Sequence, residues 1–308
     1  MKNAQHARPP ATPTLDFSHL HSVRLLPKHC TELHLIQVGC GGIGAQLASS
    51  TARIARECQR LYESVRISFY DGDLVEQKNI RRQNFCDSEV GQNKAEAVAY
   101  RLNMAWGLDI AAFPTDFKGN RDDVNDRHNT LTILLGCVDT AAARHTLHLA
   151  IAEQTPEHDG QVWWLDGGNL SVHGQICLGN TGRPDVLARS FDLPNICQAL
   201  PSPAVLHPEL LKSLPDEQPE KRQSCADLAI RDPQSLTINT VIAAHMADYL
   251  LRLVVTKDLR RFATYIDMDS GSVRSLAITP TQVQRSTPPL SIESSARRSS
   301  YGQPVGEL

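Results

Sequence analysis

No two of the eight cysteines stand as a C-x-x-C pair. Paired thiolates at that spacing are the usual framework of a structural zinc site, so no zinc is expected. The cysteines are scattered instead at positions 30, 40, 58, 86, 137, 177, 197 and 225, which fits reduced thiols in a reducing compartment. No stretch approaches the roughly 20 consecutive apolar residues of a membrane span, and the first residues, MKNAQHARPPATPTLD, lack the apolar core of a signal peptide. A cytoplasmic protein with no membrane partner is expected. A basic excess is missing too: the formal charge is −3, whereas a chain that binds phosphate backbones carries a surplus of Lys and Arg. Nucleic acid is not expected as a partner. No internal repeat is evident.

What is present is a chain of 308 residues, 41% hydrophobic, long enough to bury one large core. Residues 1–28, rich in Pro, Thr and His at their start, are expected to form a flexible arm, and the Ser/Pro-rich residues 286–308 a flexible tail. Between them strand-like and helix-like segments alternate, which predicts an α/β fold with a mainly parallel sheet and helices on both faces. The expected order is strand 33–38, helix 44–62, strand 65–70, helix 91–104, and strands 110–113 and 130–135. Helix 141–152, strand 163–166 and a strand pair over 170–178 follow. A proline-rich stretch, 181–224, breaks the alternation and reads as a long crossing segment with a short helix. Apolar residues at helical spacing over 237–254 and a hairpin in TYIDMDSGSVRSLAI complete the domain.

The run LIQVGCGGIGAQLA, residues 35–48, places Gly39, Gly41, Gly42 and Gly44 between a strand and a helix. Glycines at this spacing let backbone N–H groups approach a phosphate at the positive end of a helix dipole. Asp71, at the end of the next strand, suits a ribose hydroxyl. Those features alone serve a dinucleotide or a mononucleotide equally. The next loop separates them: FYDGDLVEQKNIRRQNF supplies Asp71, Asp73, Glu76, Asn79, Arg81, Arg82 and Gln83, and Lys94 follows at a helix start. Hydride transfer has little use for such cations, whereas breaking an α–β phosphate bond builds charge that Arg, Lys and Mg²⁺ stabilise. Asp139, after the apolar strand TILLGCV, adds a carboxylate at the sheet's carboxyl edge and is a candidate Mg²⁺ ligand. Asp73 and Glu76 read as loop-stabilising. His145 and His148 share a helix face without a third ligand and are set aside. Arg144 is expected either to orient Asp139 or to lie on the helix surface.

The motifs G-C-G-G-I-G (39–44), D-G-D-L-V-E-Q-K-N-I-R-R-Q (71–83), V-G-Q-N-K-A (90–95) and C-V-D-T (137–140) occur in one order across about a third of the chain. This constellation resembles the ThiF/MoeB/HesA family of ubiquitin-activating-like adenylyltransferases. The segments GGNLSVHGQI and SCADLAI…LTINTVIAAHMADYLLRL further resemble the ThiF-related proteins of the PRTRC plasmid cassette. The resemblance implies a Rossmann-like ATP-binding adenylation domain over residues 29–285, with ATP and Mg²⁺ as cofactors. It implies that Asp71 holds the ATP ribose, that Asn79, Arg82 and Lys94 contact phosphates, and that Asp139 ligates Mg²⁺. Asp73 and Gln83 belong to the same nucleotide-binding loop.

The implied activity is adenylation of the C-terminal carboxylate of a small ubiquitin-like or sulfur-carrier-like protein. Relatives that go further carry a thiol nucleophile after the crossing segment, and Cys225 in KRQSCADLA holds the matching position behind Lys221 and Arg222. An inert buried thiol is the alternative there, and Cys197 is the second candidate. The resemblance also implies a homodimer in which an N-terminal arginine, here Arg24, reaches the neighbouring nucleotide. Three alternatives stand beside this reading: adenylation of a tRNA-linked or peptide carboxylate, a non-catalytic nucleotide-binding component of a plasmid-encoded system, and an NAD oxidoreductase.

Overall fold

A computed structural model describes residues 16–124, 129–152, 161–170, 172–213 and 236–287. Cys225, with most of both expected terminal segments, lies outside them. The first long strand of the sheet, β2 (Glu32–Val38), is apolar on both sides, the pattern of a parallel strand covered on two faces. Leu33 and Leu35 face one core with α1 (Gly42–Cys58), while Ile36 and Val38 face a second core. Burying each such side chain contributes roughly 1.5–3 kcal/mol. The strand β5 (Thr130–Gly136) is buried throughout and divides in the same way: Ile133 and Leu135 lie in the first core, Leu134 in the second.

Eight strands form one sheet in the order β10-β9-β7-β6-β5-β2-β3-β4. On one side β3 (Ser64–Tyr70), β4 (Ile110–Phe113), β5 and β6 (Val162–Leu170) join β2 through parallel pairings. On the other, β6 turns back into β7 (His173–Gly179), which pairs antiparallel with β9 (Arg261–Asp267), itself paired with β10 (Ser272–Ala277). The expected α/β architecture is thus found, with a parallel half and an antiparallel half sharing β6. The strand order reverses between β2 and β5, the point where an open α/β sheet leaves a ligand crevice at its carboxyl edge.

Helix boundaries follow local chemistry. The helix α1 starts two residues earlier than expected, with Gly41 as its N-cap. The helix α2 (Lys94–Trp106) starts later than expected, because Asn93 caps it by accepting from the N–H groups of Ala95 and Glu96 at 2.9 and 3.1 Å. Gly107, at φ +59°, ends it in the left-handed conformation. The second core is covered by α3 (Ala141–Ala152) and part of the crossing segment, and the first by α1, α2 and α4 (Leu236–Val254). Two glycines admit α4 to the sheet: a Cβ on Gly174 would lie 2.6 Å from Ile242 Cδ1, and one on Gly167 would meet Met246 Sδ.

The proline-rich segment contains short helical turns at Pro184–Leu187, Pro203–Leu206 and Pro208–Leu211, each opening on a proline, rather than one helix. It also carries β8 (Ile196–Cys197), which pairs in parallel with β1 (Arg24–Leu25) from the end of the expected N-terminal arm. Leu25 is fully buried there, which ties that end of the arm to the domain. After β10, α5 (Pro280–Arg285) closes the described chain, its N-terminus capped by Thr279.

Candidate nucleotide site

A cavity of about 1130 Å³ opens at the carboxyl edge of the sheet where the strand order reverses. Gly39, Gly41 and Gly42 line one wall. Gly39 adopts φ +91°, and a Cβ there would lie 2.6 Å from the Cys137 carbonyl oxygen, so only glycine fits between the ends of β2 and β5. Gly44 packs against the Gly39 carbonyl, and Gln37 braces the turn by donating to the carbonyls of Gly39 and Gly44 at 3.3 and 3.1 Å. The loop is held before any ligand arrives.

Asp71 extends from the end of β3 into the same cavity. Its Oδ2 accepts from Cys40 N–H at 2.6 Å and its Oδ1 from Asp73 N–H at 2.9 Å, which ties the second strand's end to the glycine loop. Burial pushes its carboxyl above the usual carboxylate value, opposed by those two hydrogen bonds. Lys94 is almost fully buried, and its Nζ lies 2.7 Å from Asp73 Oδ2, whose side chain is 74% exposed. Asp73 therefore holds the lysine without enclosing it, leaving Lys94 at the cavity wall.

Arg82, Gln83 and Asp139 also line the cavity, so the structure brings together Gly39, Gly41, Gly42, Asp71, Asp73, Arg82, Gln83, Lys94 and Asp139. Gln83 Oε1 is buried with no hydrogen-bond partner among the described residues. Asn79 sits differently. Its Oδ1 accepts from Glu76 N–H at 2.8 Å in a reciprocal cap, it is 3% exposed, and it is not among the lining residues. Gly44 lies behind the wall as well, and Arg24 is exposed on β1 away from the lining.

One residue that motif spacing did not mark also lines the cavity. Asn239, in the first turn of α4, donates to the Arg82 carbonyl at 3.4 Å and accepts from Asn169 Nδ2 at 3.1 Å. Its amide also lies so close to Gly42 that a Cβ there would come within 2.6 Å. A polar residue between Ile238 and Ile242 on the buried side of an apolar helix was the available signal. Arg144, considered from the sequence, lines the cavity too and is paired with Asp166 behind the wall. Arg144 turns inward instead of orienting the Asp139 carboxylate directly or lying on the helix surface: its Nη2 donates to the Val138 carbonyl at 2.7 Å, and its Nε lies 3.6 Å from Asp166 Oδ2.

Cys197 does not reach the cavity. It is fully buried in β8, its thiol donates to the Ala199 carbonyl at 3.2 Å, and burial pushes its pKa up to about 12. A buried thiol bonded to a carbonyl lacks the exposure that a thiol nucleophile needs, which sets Cys197 apart from the cavity. Among the described residues no group of three or more His, Cys, Asp or Glu side chains is arranged to hold a metal ion. Asp139 lines the cavity as one carboxylate, and Mg²⁺ sites of phosphate ligands use one or two carboxylates with phosphate oxygens and water. Among the described residues no helix is long and apolar enough to cross a membrane.

The cavity continues from these residues along the antiparallel half, past His173, Gln175, Tyr265 and Arg274, with Glu209 and Lys212 of the crossing segment opposite. His207 fastens that segment to the sheet, with Nδ1 2.8 Å from Glu209 Oε1 and Nε2 2.8 Å from Tyr265 Oη.

The fold is shared with solved proteins. A crystal structure of PaaA is 15% identical, with a TM-score of 0.50 over 80% of this chain and 64% of that one. Escherichia coli MccB with ATP is 16% identical, with a TM-score of 0.50 over 80% and 63%. The same enzyme with MccA-N7isoASN gives 16%, 0.50, 80% and 64%. The chain thus spans a little under two thirds of the length of these proteins, and at such identities the likeness is one of fold. No curated protein matches the sequence. The ThiF family matches residues 27–287, most of the chain and all the elements that build the cavity, and the chain belongs to the ThiF family.

Proposed function

We propose that this protein adenylates a carboxylate at the expense of ATP. The observation that carries the reading is that three strand ends, and the loop and helix start after the second, deliver a glycine loop, Asp71, Arg82, Gln83, Lys94 and Asp139 to one cavity. Triphosphate fits the donor set. The glycine loop offers backbone N–H groups, and Lys94 and Arg82 offer charge, while the buried Gln83 Oε1 is an acceptor suited to a hydroxyl or amino group of the ligand and not to its phosphates. In this reading Asp71 accepts from a ribose hydroxyl while keeping its bonds to Cys40 and Asp73, and Asn79 shapes the loop that carries Arg82. Asp139 would hold Mg²⁺, which would supply charge neutralisation to the leaving pyrophosphate.

A substrate carboxylate oxygen attacks the α-phosphorus, the bond to the β-phosphate oxygen breaks, and pyrophosphate leaves an acyl-adenylate. The chain supplies positioning and charge stabilisation. The substrate we propose is the C-terminal glycine of a small ubiquitin-like or sulfur-carrier-like protein. A peptide carboxylate is the second reading, because the cavity runs on along β7 and β9 and accommodates an extended chain of either origin. Calorimetry tests the nucleotide: ATP with Mg²⁺ should bind and NAD should not. Tight NAD binding without ATP binding would overturn the reading.

Cys225 is proposed as the acceptor in a second step, in which its thiolate attacks the acyl carbon and AMP leaves. A homodimer with Arg24 contributed across the interface is part of the same proposal. With ATP and the carrier protein, a thiol-sensitive covalent adduct should form and vanish in Cys225→Ala but persist in Cys197→Ala. Absence of any adduct while pyrophosphate exchange is brisk would mean that the chain stops at the adenylate.

A further inference from the structure

Asp166 is 1% exposed, and its carboxylate is faced by the Arg144 guanidinium and the Trp164 indole, both of which favour its charged form. A carboxylate this deeply buried is costly unless opposite charge and hydrogen bonds meet it. Its neighbour in charge is Arg144, at the ion-pair distance of 3.6 Å and itself nearly buried. Burial pushes the Asp166 carboxyl up, and the guanidinium opposes that. Two glycines make room for the pair. A Cβ on Gly136 would lie 2.9 Å from Asp166 Oδ1, and one on Gly168 would lie 3.1 Å from Arg144 Nη2. The same Nη2 donates to the Val138 carbonyl, and the Arg144 N–H donates to the Thr140 carbonyl at 3.2 Å. Those two carbonyls flank Asp139. The backbone on both sides of Asp139 is therefore fixed by one residue, whose side chain is anchored by a charge buried in β6.

We propose that Arg144, backed by Asp166, is a positioning residue that sets Asp139 toward the cation accompanying the nucleotide. The inference rests on the nucleotide reading given above and assigns the pair no contact with substrate. An arginine suits this role better than a lysine, because a planar fork serves a carbonyl and a carboxylate at once. Groups that orient a metal-binding carboxylate typically affect metal affinity by 10–100-fold when removed.

The test is calorimetric affinity for ATP with Mg²⁺ and, separately, with EDTA. In the unaltered chain Mg²⁺ should strengthen binding. In Arg144→Lys that strengthening should fall about 10-fold, as in Asp139→Asn, while affinity in EDTA stays unchanged. Gly168→Ala, which crowds Nη2 and leaves both charges in place, should give a smaller loss of the same kind and guards against misfolding of the arginine variant. Arg144→Lys added to Asp139→Asn should cause no further loss, as two residues acting through one cation require. Equal weakening with and without Mg²⁺, or additive losses in the double variant, would overturn the positioning role alone. Absence of any Mg²⁺-dependent ATP binding by the unaltered chain would overturn the nucleotide reading and this inference with it.

Discussion

The parallel half of the sheet and the antiparallel half carry different kinds of site. In the parallel half the ligand-facing groups stand at strand ends or in the segment that follows one: the glycine loop after β2, Asp71 after β3 with Arg82, Gln83 and Lys94 beyond it, and Asp139 after β5. Hydrogen bonds between neighbouring strand ends, such as Cys40 N–H to the Asp71 carboxylate, hold these groups in place. In the antiparallel half the cavity wall is the face of the sheet, and the residues opposite it come from the crossing segment. The first arrangement suits a compact charged ligand of fixed shape. The second suits an extended one, whose recognition depends on how the crossing segment lies on β9.

Altering the parallel half should have the larger effect on chemistry. Lys94→Ala and Arg82→Ala should each slow pyrophosphate exchange by about 100-fold or more, the scale of removing one preorganised charge from a transition state. Folding should survive Lys94→Ala, since the partner it abandons, Asp73, is mostly in solvent and loses little. Exchange at unaltered rates in both variants would return these residues to a structural role and dissolve the distinction between the halves.

Altering the antiparallel half should act on the carboxylate substrate and spare the nucleotide. Tyr265→Phe removes the hydroxyl that meets His207 and loosens the crossing segment by about 1 kcal/mol, the net worth of one hydrogen bond. KM for the carrier protein should rise several-fold while ATP affinity by calorimetry is unchanged. A loss of ATP affinity instead would mean that the two halves are one site.

The same contrast explains what could be read from the sequence. The glycine loop, Asp71, Lys94 and Asp139 were legible because each stands in a local pattern of strand, turn and helix. The start of α2 shifted because Asn93, not Gly91, supplies the cap, and its end because the left-handed Gly107 stops it. Asn239 was not legible: it meets Asn169 across 70 residues and Arg82 across 157, and neither separation leaves a periodic trace. The inward turn of Arg144 was hidden for a related reason. It depends on the space left by Gly168 and on a carboxylate in β6, which helical periodicity does not report. The pairing of β1 with β8 joins two segments whose Pro-rich surroundings read as irregular, although Leu25 and Cys197 are both fully buried.

ATP–pyrophosphate exchange by the unaltered chain, with Mg²⁺ and a small β-grasp protein ending in glycine, tests the central claim most directly. Adenylation predicts exchange that requires the added protein and disappears when its terminal carboxylate is blocked as an amide. ATP binding without exchange in the presence of any free C-terminal carboxylate, protein or peptide, would contradict it and leave a nucleotide-binding component in place of an enzyme.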